Sequence, residues 1–400
     1  MSDSIDKALL PAGLRDVLPP DATHEAEVVA RTLSAFAAHG YQRVKPPLIE
    51  FEDSLLAGAG AAMANSTFRL MDPVSQRMMG LRPDMTLQVA RIAATRLRNW
   101  PRPLRLCYAG QVLRVSGSQL RPERQFAQVG AELIGAAGPA ADAETILVAA
   151  EALDLIGVSG ISIDLGMPTM VPSICAALGA EAAQTAALRE ALNQKDAAEV
   201  ATLSRKLGMA AQAIFPTLLA TVGDAEETVR ALAALDLPQA AVEKRAELEA
   251  VVGLVRAGAA DLAMTVDPVE NRGYEYHTGL AYTFFARGVR GELGAGGRYG
   301  AAGGGPDGNG GDEPSTGFTL FTDTLMRAVP PRPDERRVFV PAATDPAITA
   351  RLRGEGWRTV AGLEPVDDPR REAARLNCGY VLEDGAVAAL AQQQTQQEED

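Results

Sequence analysis

The segment FAQVGAELIG, residues 126–135, constrains the fold more than any other stretch of the chain. Successive side chains of a strand point to opposite faces. Phe126, Gln128, Gly130 and Glu132 therefore point one way, and Ala127, Val129, Ala131 and Leu133 the other. The second set is wholly aliphatic and must be buried, so the segment belongs in a sheet. LRLCYAGQVLRV, just upstream, behaves alike: Leu104, Leu106, Tyr108 and Val112 alternate with Arg105, Cys107 and Gln111. GISIDLG (160–166), residues 262–267 and YEYHTGLAYTFF (274–285) carry further strand signals.

Helical periodicity separates these strands. Val29, Leu33, Phe36 and Ala37 form one helix face, and Gly40 is placed to end that helix. Residues 81–98 give a second helix, with Thr86, Val89, Ile92, Ala93 and Leu97 as its stripe and Arg91, Arg96 and Arg98 as a solvated side. A third runs over about 141–155. Residues 173 to 262 are rich in Ala, Leu and Glu at helical spacing, and Asp224 with Glu227 makes a cap-like start. This block is predicted to be an all-helical insertion between β-rich segments. After Arg336 comes a small strand–helix–strand unit, with a second such unit ending in CGYVLED. The predicted organisation is a core over 1–330, a small C-terminal α/β segment over 331–390, and a polar, disordered tail over 391–400.

Charge narrows the partners. The net charge is -13, a poor basis for holding a polyanion such as tRNA through released counterions. Cys107, Cys175 and Cys378 are far apart and odd in number, which suits buried thiols in a reducing compartment rather than disulfides. The N-terminus lacks the basic and apolar regions of a signal peptide, and no stretch approaches the roughly 18 apolar residues of a membrane span. A cytoplasmic protein with no membrane contact is expected.

Few residues look chemical. In the strand at 126–135, Gly130 between Gln128 and Glu132 leaves room for something small to lie against the backbone. Asp84 and Thr86, beside Arg82-Pro83, and Arg272 in ENRGYEYHTG are companions. Carboxylates suit an ammonium or an imidazole N–H, and an arginine fork suits a carboxylate or phosphate. The histidines are His24, His39 and His277, without zinc spacing, so no metal is expected. The glycine-dense stretch 291–314 lacks the GK[ST] ending of a P-loop, and its second half reads as a flexible loop. No cofactor is implied. From the residues alone, the chain is an α/β protein with a polar pocket sized for an amino acid.

Taken in order and spacing, several segments resemble histidyl-tRNA synthetase over residues 10 to 328. They are GLRDVLPPDA and GYQRVKPPLIE, LRPDMTLQVAR, YAGQVLRV with RPERQFAQVGAELIG, NRGYEYHTG, and GAGGRY followed by STGF. The resemblance implies an α/β fold of the α+β type: a class II aminoacyl-tRNA synthetase-like antiparallel sheet flanked by helices, with a helical insertion and a small C-terminal segment. Carried over position by position, it implies a histidine-binding set of Asp84, Thr86, Gln128, Glu132, Arg272 and Tyr276. Arg114 would be the motif 2 arginine facing the α-phosphate, with Arg124 a second arginine behind it. His277 stands where the family has a second tyrosine beside the imidazole.

Three departures redirect the function. Ser116 stands where a synthetase has the glutamate that reads adenine. Phe321, Asp323 and Thr324 stand where motif 3 has Gly, Glu and the arginine that holds the ATP phosphates. Losing that fork removes the electrostatics on which adenylyl transfer depends. Only about sixty-five residues follow Arg336, too few for a full anticodon-binding module. A synthetase-like core with these losses resembles the regulatory subunits of ATP phosphoribosyltransferase. That resemblance implies no catalytic activity of its own, self-association as a dimer, and a hetero-oligomer, commonly a hetero-octamer, with the short catalytic subunit. It also implies a role in the first step of histidine synthesis, with L-histidine as feedback effector. An active histidyl-tRNA synthetase and a stand-alone amino-acid sensor are the alternatives.

Overall fold

The structure is a computed structural model that describes residues 9–56, 63–118, 121–270, 277–301, 312–331 and 336–390. The chain divides into two units, Met1–Pro330 and Pro331–Asp400.

In the first unit the elements run α1 (Asp21–Ala38), β1 (Gln42–Arg43), β2 (Ile49–Phe51), α2 (Glu52–Leu55), β3 (Arg69–Met71), β4 (Met78–Leu81), α3 (Thr86–Thr95), β5 (Leu104–Leu113) and β6 (Gln125–Ile134). There follow α4 (Pro139–Leu155), β7 (Ile161–Gly166), α5 (Met170–Ala177), α6 (Ala182–Asn193), α7 (Ala197–Leu207), α8 (Met209–Ala220), β8 (Gly223–Asp224), α9 (Ala225–Ala233) and α10 (Gln239–Gly258). The unit closes with β9 (Ala263–Asp267), β10 (His277–Ala286), β11 (Gly294–Ala301), β12 (Glu313–Phe321) and α11 (Thr322–Ala328).

Among the described residues nine strands form one sheet, in the order β1-β5-β6-β12-β11-β10-β7-β9-β8. Its central pairings, from β5 through β7, are antiparallel. The two alternating runs seen in the sequence are β5 and β6, paired along their full length from Leu104↔Ile134 to Leu113↔Gln125. A smaller sheet, β2-β4-β3, stands apart.

Each face of the large sheet is covered. On one face Val129, Ala131, Phe318, Leu320 and Tyr282 pack with Phe36 of α1 and Ile146, Ala149 and Leu153 of α4. Phe36 meets Phe318 edge to face at 5.3 Å, and truncating it to Ala would cost about 3–5 kcal/mol. α4 is alanine-rich and apolar all round because it lies between the sheet and the helical block, so both its sides are buried. On the other face Met85, Val89 and Ala93 cover Leu104, Leu106, Tyr108, Phe126 and Phe321. Both faces of β6 are thus buried, and the polar row of that strand is enclosed rather than solvated.

The helical block differs from expectation in one detail. Gly223–Asp224 pairs with Val266 and Thr265, so a two-residue strand ties the block to the sheet edge. Asp224 caps α9 as its side chain suggests, accepting from the backbone N–H groups of Glu226 and Glu227. Of the three arginines expected on a solvated side, Arg96 and Arg98 are exposed, whereas Arg91 is part-buried and forks onto Glu50, with Nε 3.0 Å from Oε2. Arg298 of β11 reaches away from the α3 side, to Asp142 of α4 and, at 2.6 Å, to Glu247 of α10.

In the second unit the elements are β13 (Arg337–Val340), α12 (Pro346–Gly354), β14 (Arg358–Ala361), α13 (Pro369–Arg375), β15 (Tyr380–Glu383) and β16 (Ala386–Ala389). They form a four-stranded sheet in the order β14-β13-β15-β16. Leu352 of α12 packs with Val338, Val340 and Leu382, whereas Ala373 of α13 packs with Phe339 and Val381. Alternate residues of a strand face opposite ways, so the two helices cover opposite faces. No described helix is long and apolar enough to cross a membrane.

Candidate ligand-binding site

Four adjacent strands, β5, β6, β12 and β11, supply the floor of the site. Tyr108 lies opposite Gly130, and Gly130 opposite Thr319. One row along, Glu132 lies opposite Gly317, and Gly317 opposite Gly297. Directly paired residues share a face, so these side chains all face α3. A Cβ on Gly317 would sit 1.8 Å from Glu132 Oε2, so the carboxylate lies on the bare backbone of β12. A Cβ on Gly130 would fall 2.4 Å from the Tyr108 hydroxyl. The space above Gly130 is therefore taken by the chain's own phenol, which corrects the expectation that this glycine leaves room for a ligand.

A connected polar network crosses the floor. The Tyr108 hydroxyl donates to Glu132 Oε1 (3.1 Å) and lies 2.7 Å from Thr319 Oγ1 and 3.2 Å from Thr86 Oγ1. Tyr299 donates to Glu132 Oε2 at 2.9 Å. Gln128 Nε2 donates to Asp84 Oδ2 (2.7 Å), while its Oε1 accepts from the Met85 backbone N–H (3.0 Å). Asp84 Oδ1 also accepts from Thr86 N–H at the start of α3 (2.9 Å). Asp84, Thr86, Gln128 and Glu132 are thus brought together, the Asp84–Gln128 bond alone spanning 44 residues of chain.

Burial dominates the electrostatics. It pushes the Glu132 carboxyl up to about 8, against the lowering effect of hydrogen bonds from Tyr299, Thr86 and Tyr108. Burial also raises Tyr108 well above the usual phenol range, with Glu132 adding to the shift. Among the described residues neither Asp84 nor Glu132 has an ion-pair partner. A buried carboxyl raised this far gains most from a cation or a strong N–H donor placed beside it.

The remaining expected residues are distributed around this core. His277 is buried, its ring over Gly297, where a Cβ would be 2.3 Å from Cδ2. Arg114 donates from Nε to Pro83 O (3.3 Å) and lies 5.2 Å from the Phe126 ring centre; burial lowers its guanidinium, opposed by Asp84. Arg124 holds Arg114 O and Ala12 O, so it anchors the N-terminal segment rather than facing the floor. Arg272, Tyr276, the glycines at 302–311 and the tail lie outside the described residues. Tyr108, Tyr299 and Thr319 were not anticipated. Tyr108 shares the phase of Leu104 and Leu106, so its alternation alone suggests plain core, and only its cross-strand partner reveals it.

The other end of the cleft, at the motif 3 departures, is filled. Arg121, which sequence reasoning passed over, is 6% exposed. Its guanidinium lies 3.8 Å from the Phe321 ring centre and 4.4 Å from that of Phe126. Nε donates to Asp323 Oδ2 (3.0 Å) and Nη2 to Oδ1 (3.3 Å), while Nη1 is 3.4 Å from Glu292. Thr324 is fully buried, and its hydroxyl has no partner among the described residues. No described group of three or more His, Cys, Asp or Glu side chains could hold a metal.

Comparison with known proteins bears on fold and family. The sequence model of the histidyl-tRNA synthetase family matches residues 13–325. The ATP phosphoribosyltransferase regulatory subunit of Rhodospirillum centenum is 56% identical over 383 residues, covering 96% of each chain. That of Paramagnetospirillum magneticum is 55% identical, covering 97% of this chain and 99% of its own. In structure, the ATP phosphoribosyltransferase regulatory subunit/histidyl-tRNA synthetase of Bacillus halodurans superposes with a TM-score of 0.79 at 22% identity, over 92% of this chain and 96% of its own. The histidyl-tRNA synthetase of a Nostoc species gives 0.76 at 20% identity, over 94% and 90%. These two likenesses bear on the fold, which is class II synthetase-like, and the sequence matches bear on descent: the chain belongs to the family of ATP phosphoribosyltransferase regulatory subunits.

Proposed function

We propose that this chain is a regulatory subunit without catalysis of its own, which binds L-histidine at the Glu132 end of the cleft. It carries occupancy of that site to a short-form ATP phosphoribosyltransferase catalytic chain, at the first step of histidine synthesis. One observation carries the reading. A polar, cation-accepting network at Asp84, Gln128 and Glu132 stands beside a phosphate end taken up by Arg121, Phe321 and Asp323. An amino acid finds its partners there and a triphosphate does not. Asp84 and Glu132 would face the ammonium and the imidazole N–H, with Thr86 and Gln128 fixing Asp84. The family resemblance adds Arg272 and Tyr276 to the proposed histidine set.

The test mixes purified chains. Alone, this protein should show no transferase activity and no histidine-dependent ATP–pyrophosphate exchange. Mixed with the short catalytic chain it should raise transferase activity, and histidine should suppress the gain. Exchange activity in the isolated chain would instead establish a synthetase. No rate change on mixing would count against a regulatory partner and favour a stand-alone sensor.

A further inference from the structure

We propose that Arg121 is the specificity-determining residue of the cleft, an internal plug that occupies the slot a nucleobase would otherwise enter. The inference goes beyond the regulatory reading and does not depend on which ligand sits at Glu132.

The geometry is that of a bound guanidinium rather than a surface charge. The cation sits in the corner between two perpendicular, buried rings, 3.8 Å from the Phe321 centre and 4.4 Å from that of Phe126. Its edge forks onto Asp323, whose side chain is 1% exposed. A guanidinium held by aromatic rings and by a two-point carboxylate fork fills space that a planar heterocycle would need. Phe321 and Asp323, two of the three residues at which the chain departs from a phosphate-handling motif, both contact Arg121. The departures therefore do more than remove a phosphate site: they build a receptor for a side chain of the same protein. Phe126 and Asp323 also wall a cavity of about 190 Å³, with Arg15, Glu25 and Met326 among its other walls. Space thus adjoins the plug.

The plug makes a directional prediction. Removing the guanidinium uncovers two ring faces and leaves Asp323 without its counter-ion. A neutral nucleoside should then enter, whereas phosphates should be repelled by Asp323. The experiment titrates adenosine and ATP into the full-length wild type, Arg121→Ala and Arg121→Gln, with circular dichroism as the folding check. Adenosine should bind the variants at least about tenfold more tightly than wild type, the size of one base stacked on an aromatic ring. ATP should bind the variants less tightly than adenosine does. Asp323→Asn, which loosens the fork and keeps the residue's shape, gives the same readout if both Arg121 variants fail to fold. Equal adenosine affinity in wild type and a folded variant would overturn the proposal, and so would a folded variant that shows no adenosine binding. A histidine titration of the same samples reports on the Glu132 end alone, so failure of the regulatory reading stays distinguishable from failure of this one.

Discussion

The two ends of one cleft handle charge in opposite ways. At the Glu132 end two carboxylates, Asp84 and Glu132, meet only hydroxyl, amide and backbone donors, and burial keeps Glu132 largely protonated at neutral pH. At the Arg121 end a cation is already matched by Asp323 and two rings. The first arrangement leaves work for a ligand to do, and the second has finished that work inside the chain. A fold can therefore retire half of a bipartite site by supplying the missing partner itself, while the neighbouring half keeps its demand for one.

The sharpest way to break this contrast is to unbalance the finished end. Asp323→Ala leaves the buried guanidinium only Glu292, at 3.4 Å, and removing one partner of a buried pair costs up to about 3–5 kcal/mol. Denaturant unfolding should show a loss of that size, and an unchanged midpoint would mean that Arg121 is solvated. At the other end, Glu132→Ala should weaken histidine binding by about 2–5 kcal/mol, the usual cost of truncating a buried charged partner. Calorimetry reads it directly, and affinity within a few-fold of wild type would remove Glu132 from the pocket.

A pH experiment sharpens the same point. The folded Glu132 carboxyl is raised to about 8 from an ordinary 4.5, so its contribution to stability is complete below about pH 4.5 and is lost as pH rises towards 8. Between about pH 6 and pH 7 the wild type should lose about 1 kcal/mol from this one proton. Glu132→Gln should not, so the variant gains relative to wild type as pH rises; parallel pH curves would contradict the shift. For the same reason histidine binding should release a proton, visible as buffer-dependent calorimetric heats. The smallest expected effect is at the rim of the finished end. Arg327, itself exposed, pairs at 3.3 Å with the part-buried Glu123, and Arg327→Ala should cost about 1 kcal/mol or less. A larger loss would mean that the lock extends beyond Arg121.

Much of the sheet was legible because its strands alternate cleanly and are bounded by Gly and Pro. The C-terminal strand β16, Ala386–Ala389, was not, since four residues of Ala and Val carry too little pattern to distinguish strand from helix. The site was legible as far as side chains of unusual type went: Asp84, Gln128 and Glu132 are polar residues set among apolar ones. Tyr108 and Tyr299 were not, because an aromatic residue in phase with a core stripe reads as packing until the opposite strand is known. Arg121 was hidden for a different reason. It belongs to a loop with no periodicity, and its partners Asp323 and Glu292 lie 202 and 171 residues away. Only three-dimensional register could assemble them.

Arg298 stands between Gly297 and Tyr299 on one strand, and its neighbours serve the pocket while it serves the helices. Tyr299 grips Glu132, and the next residue along grips Asp142 and Glu247 on two separate helices. Adjacent residues of one strand point to opposite sides of the sheet, so β11 is tied on one side to the buried carboxylate and on the other to α4 and α10.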